Sequence, residues 1–200
     1  MRAESSLAQK IAAAVPAAAL LAATLASCAT ASGSRRAEQA ALDVRAAFLS
    51  AATVSATANV RADYGERVYD FALEYAYSDG ECAVTVRKPD EIAGITARVS
   101  SGGATIEWDG ASVDTGTLPG GVSPAVLFAV ICEELKTGYI VSAVAGKSGG
   151  TETLSVTTEV SGEVSQTTVF ALATLTPLTS ELYSAGRLVL SAQYADFVLT

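Results

Sequence analysis

Tyr69-Asp70-Phe71-Ala72-Leu73-Glu74-Tyr75-Ala76-Tyr77 carries a large aromatic or aliphatic side chain at every second position, with small or acidic residues between. A period of two belongs to a strand whose one face meets a core and whose other face meets water. The period extends in both directions. Upstream, Val54, Ala56, Ala58, Val60 and Ala62 alternate with Ser55, Thr57, Asn59, Arg61 and Asp63, and a turn at Tyr64-Gly65 joins the two runs. Downstream, Asp79-Gly80 is a hairpin turn pair. After it Cys82, Val84 and Val86 oppose Ala83, Thr85 and Arg87.

Further hairpins continue the pattern. Ala104 to Trp108 leads through Asp109-Gly110 into a strand at Val113. Strands are then expected at Tyr139 to Ala145, Glu152 to Val160, Glu163 to Ala173, Leu178 to Tyr183 and Arg187 to Leu199. Their joints are Ser148-Gly149-Gly150, Ser161-Gly162 and Ala185-Gly186. Joints this short make consecutive strands antiparallel neighbours.

Two segments break the β period. From Ala37 to Ala52 the residues Ala37, Ala41, Val44 and Phe48 recur at helical spacing, flanked by Leu42 and Leu49, while Glu38 and Arg45 intrude on the apolar side. From Ser123 to Gly138, a capping serine and Pro124 precede the stripe Phe128, Ile131, Cys132 and Leu135. A meander of roughly ten strands cannot stay flat without wetting an apolar face. The expected fold is therefore α+β and mainly antiparallel: a strongly curved meander, or incomplete β-barrel, with helices covering its concave face.

The amino terminus carries a different signal. Arg2 and Lys10 precede an apolar run from Ile11 to Ala26 that is short, alanine-rich and interrupted by Pro16, which reads as an export signal rather than a spanning helix. It ends in Leu25-Ala26-Ser27-Cys28, which resembles the lipobox of bacterial lipoproteins. The resemblance implies cleavage before Cys28, a diacylglyceryl group on its thiol, and palmitate-type acyl chains that anchor the protein to a membrane. Two buried acyl chains, at about 0.8 kcal/mol per CH₂, hold where one is marginal. The expected organisation is a signal peptide at 1–27, a lipidated cysteine with a flexible tether at 28–36, and a folded domain at 37–200. The host's membrane count is open, but Ala29 is not the aspartate that would resemble an inner-membrane retention signal.

Loss of residues 1–27 leaves 11 basic and 20 acidic residues, a net charge of −9. An acidic surface of this kind is repelled by nucleic acid and by anionic headgroups. The chain has no histidine. That excludes Ser-His-Asp and Cys-His catalysis and the common zinc sites. Gly121-Val122-Ser123-Pro124-Ala125 lacks the second glycine of a nucleophile elbow and reads as a helix start. Gly146-Lys147-Ser148 lacks the first glycine of a phosphate loop and reads as a turn. The acidic pairs Glu133-Glu134 and Asp90-Glu91 show no catalytic arrangement. No enzyme activity, cofactor or metal is expected.

The order of elements resembles the LolA/LolB-like family of lipoprotein carriers. The matching parts are the opening helix, the strand pair with Tyr69 to Tyr77, the turn Pro89 to Ile95, the Trp108-Asp109-Gly110 hairpin, the Ser123-Pro124 helix and the closing hairpin Pro177 to Phe197. More narrowly, the chain looks like small clostridial-type lipoproteins of that fold, one of which acts in spore germination with a cell-wall amidase. The resemblance implies a half-barrel whose concave side often holds an acyl chain.

Two functions follow as expectations. In the first, a membrane-anchored extracytoplasmic lipoprotein binds a lipid or other hydrophobic ligand in a concave apolar cavity. Tyr69, Phe71, Leu73, Tyr75 and Tyr77 would line that cavity from the sheet, and Phe128 and Ile131 from the helix. In the second, the cavity is plugged and the domain is a non-catalytic adaptor that positions a cell-envelope enzyme or other envelope protein. A continuous cavity beneath the 123–138 helix decides between them. Cys82 and Cys132 both face inward, either bridged as a disulfide or as two buried thiols.

Overall fold

The computed structural model describes residues 33–116 and 122–200. Eleven antiparallel strands form one open sheet: β1 (Thr53–Asp63), β2 (Val68–Ser78), β3 (Glu81–Lys88), β4 (Thr96–Ser100), β5 (Gly103–Trp108), β6 (Ala111–Gly116), β7 (Tyr139–Ser148), β8 (Thr151–Ser161), β9 (Val164–Ala171), β10 (Thr176–Ser184) and β11 (Arg187–Leu199). Their spatial order is β6-β5-β4-β3-β2-β1-β11-β10-β9-β8-β7. Two meanders therefore grow outward from a central seam, where β1 pairs with β11 from Val54–Leu199 to Ala62–Leu190. The sheet is the expected curved half-barrel, with β6 and β7 as its edge strands among the described residues.

Turn chemistry sets the register. Asp79-Gly80, Asp109-Gly110, Gly149-Gly150 and Ala185-Gly186 all hold both residues at positive φ. This is the type I′ conformation, whose twist matches that of the flanking strands. Ala185, at φ 49°, is the one member without a side chain suited to that region.

Two helices close the concave face. The first, α1, is helical over 33–50. Ala37, Ala41, Val44 and Phe48 are buried on its sheet side, and the Phe48 ring lies 6.0 Å from that of Phe197 in β11. The second, α2 (Pro124–Thr137), buries Leu127, Phe128, Ile131, Cys132 and Leu135. Small inner-face residues at Ala56, Ala58, Ala62 and Ala192 are buried in the same cluster and leave room for helices and rings to approach the sheet.

Several expectations are corrected. Residues 33–36, read as tether, are helical, because α1 begins before the apolar stripe does. Leu42 and Leu49, which flank the stripe of α1, are exposed. Strand β4 was not foreseen: at five residues it is too short for its alternation to stand out beside the Pro89–Ile95 turn. Strand β10 starts at Thr176 and takes in Pro177, which the ladder tolerates at a register shift between Pro177 and Thr179. Gly121 and residues 1–32, including the export signal, lie outside the described residues. Among the described residues, no helix is long and apolar enough to cross a membrane.

Arg45 explains its own intrusion on α1. Its Nε donates to Leu135 O at 3.3 Å and its Nη2 donates to Gly138 O. It thereby binds the orphan carbonyls at the C-terminus of α2, where a cation is favoured. The outward face of the sheet carries exposed cross-strand pairs, Arg61 to Asp70 at 3.2 Å and Arg98 to Glu81 and Glu107 at 3.2 and 3.1 Å. Each contributes less than about 1 kcal/mol.

Candidate functional site

The concave face beneath α2 is where the sequence places a ligand. Alternation puts Tyr69, Phe71, Leu73, Tyr75 and Tyr77 on that side of β2, as expected, but they do not share one environment. Tyr75 and Tyr77 are 1 % and 2 % exposed and Leu73 is buried. Phe71 is half-buried and Tyr69 is 41 % exposed. Coverage by α2 makes the difference, since it lies over one end of β2 and leaves the other open.

Contacts fill the covered end. The Phe128 ring stacks on Tyr75 with centroids 4.8 Å apart and meets Tyr194 and Phe197 at 6.0 and 6.1 Å. Ile131 is buried beside it. Tyr75 Oη donates to Pro124 O at 2.9 Å, which ties β2 to the first turn of α2. Tyr77 Oη donates to Glu133 Oε1, and Lys136 Nζ stands 4.4 Å over the same ring. Burial holds the Tyr75 hydroxyl well above its ordinary pKa, and burial together with the Glu133 hydrogen bond does the same for Tyr77. Glu133, one of the acidic pair without a catalytic arrangement, thereby ties the helix to the sheet.

Cys82 and Cys132 are both fully buried and both free. Of the two alternatives, the structure therefore holds the pair of thiols. Burial pushes Cys82 up to about 12 and Cys132 well above the usual thiol range. Such thiols are protonated and poor nucleophiles at neutral pH.

Beyond the reach of α2 the same face of the sheet stays open. Val126 packs on Val99 and Ala104. One and two alternations further along β5, Ile106 and Trp108 are 39 % and 59 % exposed. On β2, Tyr69 is exposed likewise, four strand positions beyond the row that runs from Leu73 towards Trp108.

Sequence reasoning missed a second feature, a polar cluster inside the β8–β10 half. Gln166, Thr168, Ser180 and Thr158 are all fully buried. Gln166 Nε2 donates to Thr168 Oγ1 at 3.2 Å, and the Thr168 and Ser180 hydroxyls are 2.7 Å apart. Gln166 Oε1 and Thr158 Oγ1 find no hydrogen-bond partner among the described residues. The signal was present in β9, where Gln166 and Thr168 occupy the same alternate positions as Phe170. None of these groups is an acid or base at neutral pH. Among the described residues, no group of three or more acidic residues or cysteines is placed to hold a metal ion. Cys28 and the preceding Leu25, Ala26 and Ser27 fall outside the described residues.

No protein-family model matches the chain, and no curated protein is significantly similar to it. Solved structures are similar in architecture. A lipoprotein-sorting protein domain from Vibrio parahaemolyticus, described as a putative outer-membrane protein, is 11 % identical, with 84 % of this chain and 93 % of that one covered and a TM-score of 0.45. A LolA superfamily protein from Nitrosomonas europaea is 12 % identical over 82 % and 93 % of the two chains, with a TM-score of 0.42. A chain in the complex of the CwlD amidase with the GerS lipoprotein from Clostridioides difficile is 16 % identical over 80 % and 94 %, with a TM-score of 0.44. The likeness is one of overall architecture alone.

Proposed function

We propose that this protein is a lipoprotein anchored outside the cytoplasm through Cys28, and that its half-barrel is a non-catalytic adaptor that holds an envelope protein close to the membrane. The observation that carries the reading is the packing under α2. The rings and aliphatic groups foreseen as a ligand lining, Leu73, Tyr75, Tyr77, Phe128 and Ile131, are spent on one another. A sheet whose hollow is filled by its own helices retains its edges and outer surface for recognition.

A second reading keeps a lipid ligand but moves it. The exposed Tyr69 and the half-buried Phe71, whose rings stack with centroids 6.3 Å apart, offer an apolar surface at the end of β2 beyond α2. This surface fits one acyl chain lying on the sheet better than a chain enclosed by it.

Native mass spectrometry with lipid extraction on the full-length protein separates the two. The adaptor reading expects only the covalent diacylglyceryl group, lost in Cys28→Ser, and no further lipid. A second lipid released on denaturation, and absent from Phe71→Glu protein that melts normally, would replace the adaptor with the lipid reading.

A further inference from the structure

Strand β7 ends the sheet. Among the described residues its ten residues offer an unpaired backbone edge, on which Tyr139, Val141 and Val144 are 73 %, 56 % and 57 % exposed and Lys147 is the one charge of the strand. Proteins usually blunt such an edge with charges, proline or a very short strand. At the opposite end, β6 has six residues and carries Asp114. On β7 the protection is confined to Lys147 and a bulge between Ile140 and Ser142.

Grooves flank this edge on both sides and meet at Val141. On the inner side, a groove of about 470 Å³ runs between β7 and α1 and is lined by Leu42, Ala41, Ile140 and Ala143, with Glu38 at its rim. On the outer side, a groove of about 450 Å³ runs along the β8–β9 hairpin and presents Glu159 and Glu163. Both carboxylates are exposed, and neither joins an ion pair among the described residues. The two sides of the edge thus differ in chemistry, apolar within and acidic without.

A strand added to β7 sends successive side chains to opposite faces of the sheet. We infer that β7 is the docking edge of the adaptor and that its occupant is an extended segment of a partner protein in which apolar residues alternate with lysine or arginine. The apolar residues enter the α1–β7 groove, and the basic ones lie along Glu159 and Glu163 while the backbone extends the ladder. A second copy of this chain is disfavoured, because antiparallel pairing of two β7 edges brings acidic rims together and supplies one lysine per copy. The inference rests on the adaptor reading and gives it an address and a partner chemistry.

The test uses two labelled eight-residue peptides, one alternating valine with lysine and one alternating valine with glutamate, titrated into the full-length protein by fluorescence anisotropy. The basic peptide is expected to bind at least tenfold more tightly and to slow amide exchange in β7. The double variant Glu159→Lys, Glu163→Lys, shown by circular dichroism to melt as the parent does, should reverse the preference. Equal affinity for both peptides, protection away from β7, or a dimer in sedimentation that Val144→Lys dissolves would each overturn the proposal. In cells, a photo-crosslinker at Val144 should capture a partner. Capture only from Thr179 on the outer face would remove β7 and leave the adaptor standing, whereas no capture from either position, together with a releasable lipid, would remove both.

Discussion

Replacing Phe128 with alanine tests the claim that the concave face is filled. Phe128 is 0 % exposed, stacks on Tyr75 at 4.8 Å and meets two further rings near 6 Å. Burial of a phenylalanine side chain is worth about 2–3 kcal/mol at roughly 25 cal/mol per Å². The aromatic contact adds about 1 kcal/mol. The expected loss is therefore about 3–4 kcal/mol, inside the range for Phe→Ala in close-packed cores. For a domain of this size each kcal/mol shifts Tm by about 2–4 °C, so the melt should fall by about 6–16 °C. Urea denaturation of Phe128→Ala, run beside Tyr69→Ala, reads the difference directly. Tyr69 is 41 % exposed, and its truncation should cost less than about 1 kcal/mol. A Phe128→Ala loss as small as that of Tyr69→Ala would mean the ring does not fill a core, and the filled concavity would be wrong.

Three further outcomes are expected. Gly138→Ala places a Cβ 2.6 Å from Glu134 O and 2.9 Å from Glu134 Cα, which should cost about 1–3 kcal/mol in urea denaturation. Arg45→Met removes the two donors at the C-terminus of α2 and should cost about 1.5–3 kcal/mol, measured by the same method and with α2 amides exchanging faster. The folded Cys82 pKa is raised from 9.0 to about 12, so the folded state holds the proton more tightly. Its contribution is complete below pH 9 and is lost between pH 9 and 12; stability should decline over that window, less steeply in Cys82→Ala, and in native protein at pH 8 neither Cys82 nor Cys132 should react with a thiol reagent until the protein is unfolded.

The sheet was legible because its signals are local. Alternation in β1 and β2 and the Asp-Gly and Gly-Gly turns each name their own conformation within a few residues, and both helices announced themselves by a stripe. The seam between β1 and β11 was not legible, since the pairing of Ala58 with Tyr194 depends on contacts 136 residues apart that leave no local mark. Arg45 shows the same limit at one position. In sequence it spoils an apolar face, and only the neighbouring helix end, ninety residues away, explains it. For the candidate site, alternation told which side of β2 the five residues face but not how far along the strand α2 reaches. That reach separates buried Tyr75 from exposed Tyr69. The Gln166 cluster was missed for another reason: threonine, serine and glutamine suit a solvated strand face, and Phe170, at the next alternate position of β9, was the one residue that marked that face as covered.

The seam has a consequence for how the chain becomes protein. Every other pairing in the sheet joins neighbours in sequence and closes a short loop, whereas β1 must wait for β11, the last thirteen residues before Thr200. Loop closure over that distance is slow, and native contacts of high sequence separation set the pace of folding. Two half-sheets can form early, but each keeps a raw inner edge until the C-terminal strand arrives to join them. The final lock of the sheet is thus its pairing of greatest sequence separation, and the two halves stay separable until it is made.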